Sequence, residues 1–274
     1  MEGEKKMNTQ LTSYSTVTEI CDWGAVITKV IVSLGKTVTQ NSVSMDTFKV
    51  HVVRTENRSN VLLLGDAKGD RKITKVYVSD EKGETAVKGK YVVLEMEIGP
   101  EVSLGSPLNF NLTTNLNGWI NCDYTINQQK GIETNSGDLS GLVANKFAGE
   151  TKILVDEFTV SNATYDNVTL KYASYVPEKN KKKNPLIIWL HGLGEGGTDG
   201  LLPISANKAD NFASQKVQNY FGGAYVLAPQ TPTFWMDGLA GFGDGSSKYE
   251  NALMDLIKDY VAKNKNRSEE RRVG

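Results

Sequence analysis

The residues best suited to chemistry lie in one glycine-rich segment of the second half of the sequence. This segment runs from His191 to Asp199 and directly follows LIIWL (Leu186–Leu190), a continuous apolar run typical of a parallel strand covered on both faces. In open α/β sheets, ligands bind at the carboxyl ends of the strands. The glycines allow several backbone N–H groups to converge on one point, which serves either to bind a phosphate or to stabilise a developing oxyanion. The sequence therefore predicts a functional turn of one of these two kinds.

The phosphate alternative depends on the GxGxxG pattern of dinucleotide sites. Residues 192–197 satisfy that pattern, but in such sites a helix begins at the third glycine and directs its N-terminus at the pyrophosphate. Here Gly200 and Pro203 delay the next helix, and Glu195 and Asp199 would place negative charge beside the phosphate. The following strand, AYVLAP, also ends without an acidic residue to bind a ribose. The sequence favours the oxyanion alternative.

Three stretches of the second half resemble bacterial serine esterases of the α/β-hydrolase superfamily, in the branch related to prolyl-oligopeptidase-like hydrolases. They are residues 186–199, residues 224–230 (AYVLAPQ) and Trp235, and the most specific feature is the HGxGEGG motif that begins at His191. That branch includes members with an N-terminal immunoglobulin-like domain. The resemblance implies a carboxylic ester hydrolase that acts on a small-molecule or polymer ester through a serine acyl-enzyme, with no metal or other cofactor.

The resemblance also implies a role for each residue of the turn. The residue after the His-Gly pair gives a backbone N–H to the oxyanion hole, and by position this residue is Leu193. Trp235 is expected near the acyl or alcohol pocket, although a tryptophan in such a loop also serves packing. The catalytic histidine of the superfamily lies near the C-terminus. The structural residues of the motif are thus His191, Gly192, Gly194, Glu195, Gly196 and Gly197.

A catalytic triad cannot be assigned within the sequence. No GxSxG is present, and the nearest string, GDGSS at residues 243–247, has the wrong spacing. His51 alternates with apolar neighbours and is interpreted as a structural residue of a strand. In the superfamily the nucleophile strand follows the second helix, which here ends near residue 266, and residues 267–274 resemble the translated read-through of a sequencing adapter. We therefore expect an inactive N-terminal fragment of the enzyme with a non-native tail.

Composition excludes several classes of protein. The 31 basic and 32 acidic residues give a net charge of −1, so no electrostatic attraction to nucleic acid is expected. With 39% hydrophobic and 23% charged residues the chain is of globular type, and no apolar run approaches the roughly 18 residues of a membrane span. Cys21 and Cys122 lack metal-ligand spacing, and whether they pair is left open. The N-terminus lacks the apolar region of a secretory signal, whereas the resemblance implies a location outside the cell or on its surface.

The first half has the pattern of a β domain. Sixteen valines lie between Val17 and Val102, and apolar and polar residues alternate in segments such as YVVLEMEIG. Turn signals separate these segments, as in immunoglobulin-like folds. Residues 1–130 are therefore predicted to form an immunoglobulin-like β-sandwich. Residues 131–150 contain four glycines with little periodicity and are predicted to be a linker.

Residues 151–266 combine strands with helices. TKILVDEFTV and VTLKYASYVP predict a hairpin, and LIIWL and AYVLAP predict buried strands. Ser205 is expected to cap one helix, and a capping box of Ser247 and Glu250 predicts the start of another. This order is typical of an α/β fold. We expect the N-terminal part of an α/β-hydrolase domain, with a mostly parallel sheet and helices.

Two other functions remain open at the level of the sequence. A prolyl-oligopeptidase-like peptidase would use the same turn, and a non-catalytic binding or adhesion protein would use the β-sandwich. The ester substrate cannot be predicted, because the acyl pocket of such enzymes is built largely by later elements. The oligomeric state is not predicted either.

Overall fold

The structure is a computed structural model that describes residues 9–178, 183–239, 242–243, 245–264 and 267–273. The chain divides into two compact units. The first unit contains the residues up to Glu19, Val26–Asn109 and Trp119–Lys152, and the second contains Ile20–Ala25, Phe110–Gly118 and the residues from Ile153 onward. Two short segments of the first half therefore belong to the second unit.

The first half of the chain supplies ten strands. Their bounds are β1 Gln10–Cys21, β2 Gly24–Thr39, β3 Phe48–Thr55, β4 Lys68–Arg71, β5 Ile73–Ser79, β6 Lys88–Met96, β7 Leu108–Asn111, β8 Leu116–Trp119, β9 Asn121–Gln128 and β10 Leu142–Lys152. Eight of them form one sheet in the order β4-β3-β9-β10-β1-β2-β6-β5, whereas β7 and β8 pair separately. The strand-rich pattern predicted for the first half is confirmed.

Apolar side chains from both ends of this sheet share one core. Val50 of β3 and Tyr124 of β9 lie in the same buried cluster as Val32 of β2 and Leu94 of β6. Strands that are distant in the sheet order can share a core only when the sheet folds over on itself into two layers. The alternating apolar residues therefore point into the space between two layers, as the predicted sandwich requires.

The structure contradicts the predicted linker at residues 131–150. Strand β10 begins at Leu142 and lies between β9 and β1, with parallel pairing to β1. Only Leu142 and Ala144 of this strand are buried, and the next four residues are exposed. The apolar alternation that marks a strand is therefore too short to be recognised in the sequence, and the first unit extends to Lys152.

The second unit is built on a five-stranded sheet. Its strands are β11 Thr159–Tyr165, β12 Val168–Tyr175, β13 Asn184–Ile188, β14 Tyr225–Gln230 and, after the short pair β15 Gly238–Leu239 and β16 Phe242–Gly243, β17 Arg267–Val273. The sheet order is β11-β12-β14-β13-β17. The β14–β13 and β13–β17 pairs are parallel, whereas β11–β12 and β12–β14 are antiparallel.

The sheet is thus mixed, and the prediction of a mostly parallel sheet is wrong in this respect. Asp166 and Asn167 connect β11 to β12 with φ angles of 47° and 66°. Two consecutive residues of positive φ form the tight turn that joins antiparallel strands. A hairpin is therefore present, but its first strand is Thr159–Tyr165 rather than the predicted residues 151–160, which contain the end of β10 and a 3₁₀ helix at Val155–Glu157. The first pair of the sheet is antiparallel.

Helices cover the central strands of this sheet. Their bounds are α1 Leu202–Ser205, α2 Gln215–Phe221 and α3 Glu250–Lys263. All six residues of β14 are buried, so both of its faces are covered, as in parallel sheets generally. From α3, Leu256 packs with Leu170 of β12, and Tyr260 packs with Leu227 of β14. Helix α3 begins at Glu250, two residues after the start that a capping box at Ser247 predicts, and its N-cap residue Tyr249 makes no side-chain capping bond.

The prediction that Ser205 caps one helix is wrong, and the residues after Ser205 form two shorter helices. Ser205 ends α1 with a buried side chain, a 3₁₀ helix follows at Lys208–Ala213, and Ser214 caps α2 by accepting a hydrogen bond from the Val217 N–H. The Asn207 side chain accepts a bond from the Ala209 N–H at 3.0 Å. Such local side-chain bonds compete with helix continuation. The interruption therefore arises from Asn207 and Ser214.

Three other sequence expectations concern single features of the chain. Residues 267–274 are predicted to be a tail, and the structure places Arg267–Val273 in β17 beside β13. Cys21 and Cys122 do not form a disulfide, and the Cys122 thiol lies 3.7 Å from the Ser106 carbonyl oxygen. Among the described residues, no helix is both long and apolar enough to span a membrane.

Candidate functional site

The glycine-rich turn lies at the carboxyl end of β13, as the sequence predicts. Strand β13 ends at Ile188, and the Trp189 N–H continues the ladder by donating to Leu227 O at 2.9 Å. A single 3₁₀ turn at Leu193–Glu195 follows. The glycine-rich segment is thus attached to the central pair of parallel strands, β13 and β14.

Three hydrogen bonds from within this region fix the turn. The Gly192 N–H donates to Glu195 Oε2 at 2.6 Å, which closes the 3₁₀ turn from one side. The Gln230 amide donates to Glu195 O at 2.8 Å, and the Gly197 N–H donates to Thr231 O at 2.8 Å. Gln230 is fully buried, so its bond is shielded from water. The turn therefore has a defined backbone conformation.

Two glycines of the motif are closely approached by other residues, and at Gly196 the neighbouring atom belongs to the backbone. A Cβ on Gly196 would lie 1.9 Å from the Thr233 carbonyl oxygen, and a Cβ on Gly194 would lie 2.7 Å from Asn117 Nδ2. Real Cβ contacts do not reach such distances, and the Thr233 neighbour is backbone that cannot rotate away. The resemblance assigns these glycines a structural role, and the close approaches give that role a physical cause.

A residue that the sequence analysis missed contacts the turn from far away along the chain. Asn117 Nδ2 donates to the Gly194 carbonyl oxygen at 3.1 Å across 77 residues of sequence. Phe110–Gly118 clusters with the second unit, although β7 and β8 are strands of the first half. No local sequence signal connects an asparagine in a polar hairpin with a glycine-rich turn so far downstream.

Leu193 presents its backbone at the centre of the turn. Its side chain is 42% exposed. Within the described residues its N–H donates to no acceptor, in contrast to the N–H groups of Gly192 and Gly197. An unsatisfied N–H on a turn of defined conformation can stabilise negative charge on a ligand oxygen.

His191 is held by its backbone surroundings. The ring is buried, and Nε2 accepts a hydrogen bond from the Thr231 N–H at 3.1 Å. Nδ1 therefore carries the proton and donates to the Gly192 carbonyl oxygen at 2.7 Å. Burial lowers the pKa of His191, so the neutral ring is favoured. With both ring nitrogens occupied, this geometry supports a structural residue rather than a base.

Glu195 connects the two sides of the turn. Its carboxylate accepts the Gly192 N–H, and its backbone carbonyl accepts the Gln230 amide. Burial raises the pKa of the carboxyl, while the bonds from the Gly192 N–H and the Asn207 side chain oppose the shift. The structure thus places Glu195 where an ordering residue of the loop is expected.

Trp235 lies beside the turn but packs in a core cluster. Its ring centroid is 5.3 Å from that of His191. The side chain also packs against the buried cluster that contains Tyr249 and Leu256 of the α3 region. These contacts support the packing alternative for Trp235, and the substrate-pocket role stays a prediction.

The remaining candidate residues supply no triad. His51 belongs to the first unit, where Nδ1 lies 2.9 Å from Asp70 Oδ1 at an exposed position of β3. The string at residues 243–247 that approximates GxSxG lies partly outside the described residues. In the described part of the chain, no three His, Cys, Asp or Glu side chains are grouped to hold a metal ion. In the described part of the chain, the site therefore consists of a turn whose Leu193 N–H is available to a ligand.

Comparisons with known proteins point to one class. A family model for the immunoglobulin-like N-terminal domain of esterases matches residues 13–141. The structure is also similar to the crystal structure of a thermostable esterase, with a TM-score of 0.80, 26% sequence identity, and coverage of 95% of this chain and 69% of that chain. The comparison with curated proteins gave no match. The two matches support an esterase-type chain with an immunoglobulin-like N-terminal domain.

Proposed function

We propose that the chain is part of a carboxylic ester hydrolase and supplies its oxyanion turn. The observation that carries this proposal is the unsatisfied Leu193 N–H on a turn fixed by hydrogen bonds at Gly192, Glu195 and Gly197. The matches to an esterase domain family and to a thermostable esterase support the same class. The HGxGEGG motif supports the prolyl-oligopeptidase-related branch of the α/β-hydrolases, and with it a location outside the cell or on its surface.

The order of elements supports an α/β-hydrolase domain. In that superfamily the third strand, the oxyanion turn, a helix, the fourth strand and a second helix precede the strand that delivers the nucleophile. Here β13, the glycine-rich turn, α2, β14 and α3 follow one another, and β17 comes next beside β13. We propose that, in the complete enzyme, the strand that carries the nucleophile occupies the place beside β13 that β17 occupies in this structure.

The mechanism is acyl transfer through a serine. The serine oxygen attacks the ester carbonyl carbon while a histidine accepts its proton, and the carbonyl oxygen becomes an oxyanion. The Leu193 N–H donates to that oxyanion, and collapse of the intermediate expels the alcohol, which takes the proton from the histidine. Water then hydrolyses the acyl-enzyme by the same steps. The substrate of this reaction is a small-molecule or polymer ester.

The test is the coding sequence that adjoins the codon for Asn266 in the source gene. We expect an apolar strand followed by GxSxG within about 30 residues. A protein that contains this motif should hydrolyse p-nitrophenyl esters of short acids with saturation, and substitution of the motif serine by alanine should abolish the activity. An adjoining sequence without such a motif, or an extended protein without saturable hydrolysis, would overturn the proposal.

A further inference from the structure

The hairpin of β7 and β8 is a rigid element beside the glycine-rich turn. At its tip, Asn111 Oδ1 accepts hydrogen bonds from the N–H groups of Thr113 and Thr114 at 2.8 and 3.3 Å. The Asn115 N–H donates to Asn111 O at 2.8 Å, and Asn115 adopts a positive φ of 55°. Because the tip is closed by three bonds, side chains on β8 have fixed positions.

Three side chains of this hairpin approach the turn. Besides the hydrogen bond from Asn117 to Gly194 O, Phe110 Cε2 would lie 3.6 Å from a Cβ on Gly194. Leu116 Cδ2 would lie 3.2 Å from a Cβ on Gly196. The hairpin therefore packs directly on the part of the turn that follows Leu193, and it does so against residues that have no side chain.

The Asn117 bond acts on a carbonyl that the other anchors do not hold. The bonds within the β13–β14 region fix Gly192, Glu195 and Gly197. Gly194 O is held by Asn117 Nδ2. Within the described residues, the other hydrogen bond on this peptide is the long one of 3.4 Å from the Glu195 N–H to Gly192 O. Glycine rotates more freely than other residues, so loss of the Asn117 bond lets the peptide between Gly194 and Glu195 reorient and carry the neighbouring Leu193 N–H with it.

We propose that Asn117 is a positioning residue of the oxyanion turn: the hydrogen bond from its side-chain amide to Gly194 O orients the Leu193 N–H toward the substrate oxyanion. This inference rests on the proposed function for its catalytic consequence. Preorganised donors stabilise the transition state more than the ground state, so loss of orientation lowers kcat more than it changes KM. Asn117 itself touches no reacting atom.

Two substitutions separate the hydrogen bond from packing. Asn117→Asp keeps the size and shape of the side chain but replaces the N–H donor with an oxygen that faces the Gly194 carbonyl oxygen. Asn117→Ala removes both the donor and the contact. Thr114→Ala is the matched control, because Thr114 lies in the same hairpin, is exposed, and contributes its backbone N–H rather than its side chain to the tip.

The first measurement is hydrogen exchange of the Glu195 amide, the N–H of the peptide that Asn117 holds, in the 274-residue chain, with thermal unfolding as the check of folding. Both Asn117 variants should exchange this amide about tenfold faster or more, while Thr114→Ala matches the wild type. This readout requires no ester hydrolysis. Unchanged exchange in Asn117→Asp would overturn the inference whether or not the protein is an esterase.

The second measurement uses the extended, active protein of the preceding test. Asn117→Asp should lower kcat by about 10- to 100-fold with KM changed less than about threefold and with an unshifted pH profile. A loss confined to KM would overturn the positioning role. An inactive wild-type protein would overturn the proposed function and the catalytic consequence, while hydrogen exchange would still decide whether Asn117 holds the turn.

Discussion

At the scale of single residues, the backbone and the side chain of Leu193 can be separated by mutation. If Leu193 contributes to catalysis only through its backbone N–H, Leu193→Ala should lower kcat of the extended enzyme only slightly, because the amide remains. Leu193→Pro removes the donor and fixes φ, and it should lower kcat by about 100-fold or more. The measurement is steady-state hydrolysis of p-nitrophenyl esters. Equal losses in the two variants would show that the side chain, rather than the N–H, is what matters.

Asp210 is a buried carboxyl that makes the stability of the protein depend on pH. It lies in the 3₁₀ helix Lys208–Ala213, is 3% exposed, and within the described residues its Oδ1 accepts no hydrogen bond. Burial raises its pKa to about 7. The folded protein then holds a proton that the unfolded chain has released above about pH 4, so this group destabilises the fold progressively as the pH rises from about 4 to 7.

Asp210→Asn removes that dependence while it keeps the shape of the side chain. Its stability relative to the wild type should increase between pH 5 and pH 8, by an amount on the order of a few kcal/mol. Urea unfolding at the two pH values measures the difference. Asp166→Asn changes an exposed carboxylate and should give the same difference at both pH values. A relative stability of Asp210→Asn that does not change with pH would contradict the assignment.

At the scale of elements, the sequence predicts features formed by adjacent residues and does not predict contacts between residues far apart in the chain. The functional turn is recognisable because an apolar strand and a glycine cluster are adjacent in sequence. Strand β10 escapes recognition because most of its side chains are exposed, so its identity depends on backbone pairing with β1 and β9. The role of Asn117 is not recognisable in the sequence, because its hydrogen-bond partner, Gly194, is 77 residues away.

The close packing of the turn gives a prediction about Gly196. Its backbone has φ of −61°, which any residue adopts, so Gly196→Ala tests space alone. The new Cβ would meet the Thr233 carbonyl oxygen at 1.9 Å and should destabilise the protein by about 1–3 kcal/mol. Gly131→Ala is the control, since a Cβ there meets nothing within 4 Å. Unfolding midpoints should fall for Gly196→Ala alone, and equal midpoints would contradict the packing argument.

At the scale of the whole molecule, the residues that form the site belong to the second of the two units. The turn and its β13–β14 anchors belong to the second unit, and so does Phe110–Gly118, although that segment lies within the residues matched by the esterase immunoglobulin-like domain. A deletion of residues 1–130 would therefore remove Asn117 together with the sandwich. A loss of activity after such a deletion would combine two effects, removal of the sandwich and removal of the Asn117 bond to the turn. The point variants of Asn117 separate the second effect from the first.

The 274-residue chain itself should hydrolyse no ester at an enzymatic rate. Catalysis by a serine requires an adjacent base, and His51 pairs with Asp70 in the first unit while both nitrogens of His191 are held by bonds to Gly192 and Thr231. An oxyanion hole alone leaves roughly 10³-fold acceleration in an intact active site. Under the proposed function, the second N–H of the hole belongs to the residue after the catalytic serine, so the turn alone is an incomplete oxyanion hole.

The assay is release of p-nitrophenol from short-chain esters by the 274-residue chain, beside the extended protein. The short chain should match the uncatalysed rate, and the extended protein should show saturation. His191→Ala in the short chain should leave that rate unchanged, since both ring nitrogens are already bonded, Nδ1 to the Gly192 carbonyl oxygen and Nε2 to the N–H and hydroxyl of Thr231. Saturable turnover by the short chain that His191→Ala abolishes would mean that His191 is a base and that the nucleophile lies among these 274 residues.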